Sequence, residues 1–171
     1  MDKTKQLTTT AILIAIGILL PMAFHMVPQG GRIFLPMHIP VLISGFIVGP
    51  VYGLLCGVLT PILSSVLTSM PPAMVLPGMV VELGVYGLCG GLLMKSIKIE
   101  NETKKIYVVL IVSMLVGRLA SGIVNGFIIQ TGKYSMQMWI TASFVTALPG
   151  IVVQLLLIPV LVKSIRKSFN K

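Results

Sequence analysis

The chain has 171 residues, 56% hydrophobic and only 10% charged, with a mean hydropathy of +1.01. Soluble domains are typically about 25% charged, so composition excludes an ordinary water-soluble fold. The net charge of +9 does not point to nucleic acid, because the basic residues sit in short segments that flank apolar runs, as membrane topology requires.

The spans can be read in chain order. Only Glu82 is charged among the 62 residues between Arg32 and Lys95, and none is charged from Gln6 to Gly31 or from Tyr134 to Val162. A bilayer crossing takes about 20 mostly apolar residues. Span one is expected over Leu7 to Val27, kinked at Pro21 and too long to be a cleaved signal. Pro28 to Arg32 is a polar, Gly-rich connection. Span two, Phe34 to Val48, is short and carries Pro36 and Pro40 at its start. Gly49-Pro50 is a tight turn. Span three is Val51 to Leu67, span four Ala73 to Met94, span five Ile106 to Gln130 and span six Met138 to Val162. Breaks fall at Ser69 to Pro72, Lys95 to Lys105 and Thr131 to Tyr134. The fold class is therefore an all-α integral membrane protein, a six-transmembrane-helix bundle forming a single domain over 1-171.

Six spans place both termini on one side. Lys3, Lys5, Lys95, Lys98, Lys104, Lys105, Lys163, Arg166, Lys167 and Lys171 fall on that side, and only Arg32 and Lys133 on the other. Lys and Arg accumulate in cytoplasmic loops, which predicts N-in and C-in in the cell membrane. An odd number of spans would destroy the asymmetry.

Small residues recur four apart at Gly45, Gly49, Gly53 and Gly57, at Gly87 and Gly91, and at Gly122 and Gly126. This spacing lets helix backbones approach closely in lipid, and internal bundle packing is the simpler reading of it than a dimer interface. Ala11 and Ala15 form a similar pair on span one. Cys56 and Cys89 lie inside apolar runs without metal-like or disulfide spacing.

Polar groups inside the spans are expensive and mark function. Glu82 is expected in the middle of span four and Arg118 in the middle of span five. A buried salt bridge orienting two helices is the plain reading. The functional reading is a substrate cavity in which the ligand competes for one partner. Arg118, Ser121, Gly122 and Asn125 share one helical stripe, and Glu82 and Tyr86 are one turn apart. His38 near the outer end of span two, His25 in span one and Gln154 in span six complete a set that suits a polar pocket opening outward. No catalytic constellation is visible. The only Asp is Asp2, and there is no His-Glu-x-x-His helix, Gly-x-Ser-x-Gly elbow or phosphate-cradling loop. No metal or cofactor is expected, and energy for uphill transport would have to come from a partner or an ion gradient.

The pattern resembles the S-components, the substrate-binding subunits of energy-coupling factor (ECF) transporters for vitamins and other micronutrients. The resemblance rests on the six-span, N-in/C-in layout and on Ala11-Ile12-Leu13-Ile14-Ala15. It rests also on Phe34-Leu35-Pro36-Met37-His38-Ile39-Pro40 leading into Ser44 to Gly53, and on Glu82 to Gly87 with Gly117-Arg118-Leu119. It covers nearly the whole chain. It implies docking through Ala11 and Ala15 on a shared transmembrane subunit that works with two ATP-binding subunits. It also implies capture of a small molecule near the outer face, beneath Pro28 to Leu35 and beside the loops around Pro71 and Lys133. In the family's transport scheme the S-component topples to release its cargo inward. The substrate-binding residues expected here are Arg32, His38, Glu82, Tyr86, Arg118 and Asn125. With Trp139 the only tryptophan and 6% aromatics, a stacking platform is not expected. Arg32, His38 and Arg118 suit a carboxylate or phosphate, so a small anionic, mostly aliphatic ligand is expected, pantothenate first, with folate or another carboxylated vitamin next. Two other readings stay open. A self-contained secondary transporter or channel would use Glu82 for ion coupling, and a membrane enzyme or assembly factor would show product formation by the isolated chain.

Overall fold

The structure is a computed structural model that describes residues 1–24, 27–129 and 135–169. His25, Lys133 and the predicted Thr131 to Tyr134 loop lie outside the described residues, as do Gln130 and Lys171. All the regular secondary structure among the described residues is helical, with no strand. The helices are α1 (Lys3–Ala23), α2 (Gly30–Phe34), α3 (His38–Ile47), α4 (Pro50–Thr68), α5 (Leu76–Ser96), α6 (Glu102–Val124), α7 (Met136–Ile140) and α8 (Leu148–Phe169). Two short π-helical segments, Asn125–Ile129 and Thr141–Thr146, continue α6 and α7. Six helical stretches are long and apolar enough to cross a membrane, α2 and α3 counting together as one.

The six-span reading holds, with shifted bounds. α1 starts at Lys3 rather than Leu7, because the polar residues Thr4 to Gln6 continue the helix. The second span is not one rod: Gly30–Phe34 coils, Leu35 turns into the left-handed region at φ 51°, and α3 begins at His38. Pro36 fits this break: the right-handed helical conformation is disfavoured for the residue before a proline, and proline has no N–H with which to continue the helix. The sixth crossing starts at Leu148, ten residues later than Met138; α7 and its π segment precede it as a separate bent piece.

α3 is the hub. Eight of its ten residues are buried, His38 and Ser44 among them, and it touches α1, α4, α5 and α8. A helix apolar on all sides belongs inside, which is why the shortest span is also the most enclosed. Gly49 makes the turn into α4 at φ 123° and ψ 178°, a conformation essentially restricted to glycine, and Pro50 starts α4 at a position where its missing N–H costs nothing.

The glycine repeats pack internally. A Cβ on Gly87 would collide with the Gly53 carbonyl, one on Gly45 or Gly53 with the Gly87 carbonyl, and one on Gly57 with the Leu83 carbonyl. α3, α4 and α5 therefore cross backbone to backbone. With no hydrophobic force between helices in lipid, this close van der Waals approach supplies the association energy. Ala11 and Ala15 behave differently: both are exposed on α1, whose bundle-facing side is Thr10, Leu13 and Gly17. Packing inside the bundle, the plain reading of that pair, does not apply to it.

The two ends of the bundle differ. The nine described basic residues Lys3, Lys5, Lys95, Lys98, Lys104, Lys105, Lys163, Arg166 and Lys167 lie at or near the start of α1, the α5–α6 connection and the end of α8. There Arg166 ties the ends together, donating to the Phe46 carbonyl at 2.9 Å and to Glu102 at 3.2 Å. The opposite end holds the cavity.

Candidate functional site

At that opposite end a cavity of about 680 Å³ opens among the end of α1, α2, the start of α3, the Met70 to Val75 segment, the start of α5, the end of α6 and the α7–α8 region. Its size falls in the usual range for small-molecule sites, roughly 300 to 1,000 Å³. Its floor is a charged cluster carried by α5 and α6. Glu82 lies in the second turn of α5 and Arg118 in the last two turns of α6. Both therefore sit toward the cavity end, not at mid-span as the run lengths suggest.

The cluster is tightly connected. The Tyr86 hydroxyl donates to Glu82 Oε1 at 3.0 Å and accepts from Arg118 Nε at 2.9 Å. The Ser121 hydroxyl donates to Glu82 Oε2 at 3.0 Å. Arg118 Nε stands 3.9 Å and His38 Nε2 3.6 Å from Glu82 Oε1. Helical spacing explains the convergence: Glu82 and Tyr86 are four apart on α5, Arg118 and Ser121 three apart on α6, and such pairs share a face. The His38 ring meets the Tyr86 ring edge-on, with centroids 5.5 Å apart. Arg118 is 2% exposed, whereas the Glu82 side chain keeps 20% of its surface open. Arg118 Nη1 and His38 Nδ1 are buried without a hydrogen-bond partner.

The expected site residues separate into three groups. His38, Glu82, Arg118 and Asn125 line the cavity together. Asn125 packs so closely over Gly78 that a Cβ there would lie 2.5 Å from its Oδ1. Arg32 also lines it but is exposed on α2 at the rim. Tyr86 is fully buried and stands behind the wall as the bridge between Glu82 and Arg118, out of reach of the cavity. Gln154 is fully buried too, its amide without a partner, and does not line the cavity. Arg32 and Glu82 thus occupy opposite settings in one chamber, rim and floor.

Two contributors escaped the sequence reading. Trp139, on α7, donates its indole N–H to the Arg118 carbonyl at 3.1 Å and packs against Gly122. The Arg118 guanidinium carbon lies 5.5 Å from the centre of the Phe144 ring. The indole's partner is a backbone atom on another helix, which no spacing rule reveals. Ser121 was visible on the Arg118 stripe, but its role as a donor to Glu82 was not.

The cavity mouth is also where the backbone departs from ordinary geometry. Among the described residues, the non-glycine residues with positive φ are Gln29 (57°), Leu35 (51°) and Ser69 (57°). The first two line the cavity and the third adjoins Met70, which does. Left-handed backbone costs such residues about 1 kcal/mol or more each, and such strain gathers at ligand clamps. No grouping of three or more His, Cys, Asp or Glu side chains placed to hold a metal occurs among the described residues.

The family model for the ECF transporter substrate-specific component matches residues 5–162. No curated protein and no solved structure matches the chain.

Proposed function

The chain belongs to the family of ECF transporter substrate-specific components, and from that premise we propose that it captures a small carboxylated vitamin such as pantothenate at the outer face of the cell membrane. Membership implies a small-molecule substrate and an ECF energising module. The observation that carries the finer reading is the cavity with a charged floor, in which His38, Glu82, Arg118 and Asn125 meet beneath a rim bearing Arg32. A bilayer tolerates such a cluster only where it is enclosed by protein or wet, and this one is both connected and open to a ligand-sized space.

All the described basic residues except Arg32 and Arg118 gather at the end away from the cavity, and the preference of Lys and Arg for the cytoplasm supports both termini inside and the cavity outside. Ala11 and Ala15 present methyl-sized side chains on an α1 face free of bundle contacts. A close helix approach needs such residues, which supports docking on the shared transmembrane subunit. Two ATP-binding subunits supply the hydrolysis, and the chain itself is no enzyme.

The test is native mass spectrometry of the gently purified chain with identification of the small molecule it carries, followed by uptake in vesicles with the energising module. A retained carboxylated vitamin and ATP-dependent uptake are expected. Uptake by the isolated chain without ATP-binding subunits would overturn the reading in favour of a self-contained transporter.

A further inference from the structure

The cavity distributes its charge unevenly. On the floor, Arg118 and Glu82 lie 3.9 Å apart, and Arg118 Nε is already engaged by the Tyr86 hydroxyl. The pair is close to neutral, so an acid placed there meets the repulsion of Glu82 together with the attraction of Arg118. Glu82 is also an acceptor with capacity to spare. An ionised carboxylate offers about four lone-pair sites; Tyr86 and Ser121 each donate to Glu82 and His38 Nε2 stands 3.6 Å away, which leaves acceptor capacity toward the cavity. At the rim the balance is reversed: Arg32 is exposed and has no acidic partner among the described residues. Its planar fork matches a carboxylate.

The walls between rim and floor are apolar and pliable. Met37, Met70, Met79 and Met138 line them, and among the described residues Phe24 is the one benzenoid ring in the lining. Methionine fills irregular shapes and adapts to them, whereas a flat heteroaromatic ligand would call for stacking partners.

We propose that the ligand is an aliphatic acid whose far end carries hydroxyl groups, bound with the acid outermost at Arg32 and the hydroxyls on Glu82 and its neighbours at the floor. The inference rests on the capture reading above and sharpens it to a substrate class and an orientation. At the floor Glu82 takes the donor hydrogen, and Arg118 Nη1, buried without a hydrogen-bond partner, can donate back to the same hydroxyl oxygen; the rim selects for the acid, and the methionine walls for a non-planar middle. A simple fatty acid fails at the floor, and a neutral polyol loses the rim.

The experiment is isothermal titration of the detergent-purified full chain with three probes: pantothenate, pantothenyl alcohol (the acid replaced by an alcohol), and pantothenate stripped of both hydroxyls. Wild type is compared with Arg32→Gln, an exposed position where folding is not at issue, and with Glu82→Gln, whose fold is checked by circular dichroism. Losing one charge-assisted contact is worth about tenfold in affinity. Arg32→Gln is expected to weaken pantothenate by about that factor and pantothenyl alcohol by less than about twofold. The hydroxyl-free acid is expected to bind wild type at least about tenfold more weakly than pantothenate, with the gap narrowing in Glu82→Gln. Equal losses for acid and alcohol in Arg32→Gln would overturn the orientation. A hydroxyl-free acid that binds as well as pantothenate would overturn the donor requirement. Failure of all three probes to bind would overturn this inference while leaving the capture reading to its own test, the retained molecule and ATP-dependent uptake.

Discussion

Replacing Arg118 by Met, and doing so with and without Glu82→Gln, tests whether the floor of the cavity is a mutually stabilised pair. The two charges stand 3.9 Å apart. At an effective dielectric near 20 their attraction is about 4 kcal/mol. The 20% exposure of the Glu82 side chain admits some screening, and breaking a buried pair from one side costs about 3 to 5 kcal/mol. Arg118→Met alone is therefore expected to destabilise by about 3 kcal/mol, because it leaves the Glu82 carboxyl without its cation. Glu82→Gln alone should cost a similar amount by stranding the guanidinium. The double variant has neither charge to strand, so it should lose about as much as one single change, a coupling of about 3 kcal/mol. The assay is equilibrium unfolding in mixed micelles of mild detergent and increasing dodecyl sulfate, followed by far-ultraviolet circular dichroism. Single-variant losses that add to within about 0.5 kcal/mol in the double would refute the pairing, and with it the near-neutral floor.

Tyr86→Phe removes the hydroxyl that links Arg118 to Glu82; the same unfolding assay should show a loss of about 2 kcal/mol, and ligand affinity should fall although Tyr86 does not reach the cavity. Gly87→Val drives a branched side chain into the Gly53 backbone, and overpacking of this kind costs about 1 to 3 kcal/mol, which a shifted melting transition in detergent would register. Ala15→Trp puts a bulky ring on the exposed face of α1; ligand titration should be unchanged and ATP-dependent uptake lost, and normal uptake would remove Ala15 from the docking surface. For orientation, single cysteines replacing Arg32 and Lys98 in a chain lacking Cys56 and Cys89 should label with a membrane-impermeant maleimide from outside and only after permeabilisation, respectively, with the opposite pattern inverting the topology.

The number of spans was legible because charge and apolar length report directly on the bilayer. The stripe joining Arg118, Ser121 and Asn125, and the one-turn pair Glu82 and Tyr86, were legible because helical periodicity puts such residues on one face. That these two faces meet was an inference from the cost of lone charges in lipid, and the contacts agree with it. What stayed hidden depends on chain reversals and tertiary contact. The start of α1 at Lys3 hid behind polar residues that continue a helix without being apolar. The short helix Gly30–Phe34 hid because Gly30 to Arg32 read as a polar, Gly-rich connection, and the signal for its end was Pro36, read only as an interruption. The π segments carry no residue signature. Trp139 was weighed as a stacking residue for a ligand, when its indole nitrogen instead holds the Arg118 carbonyl.

The tight crossing of α3, α4 and α5 has a consequence for how such a subunit diversifies. The glycines that set it, Gly45, Gly53 and Gly87, contribute nothing to the cavity wall. The wall is drawn from helix starts, helix ends and connecting segments at one extremity. Frame and binding surface are therefore physically separable: altering methionines and loop residues would reshape the pocket while the same three-helix wedge keeps the scaffold upright. Even on α3 and α5, which carry both, the lining residues sit at the helix starts and the crossing glycines further along.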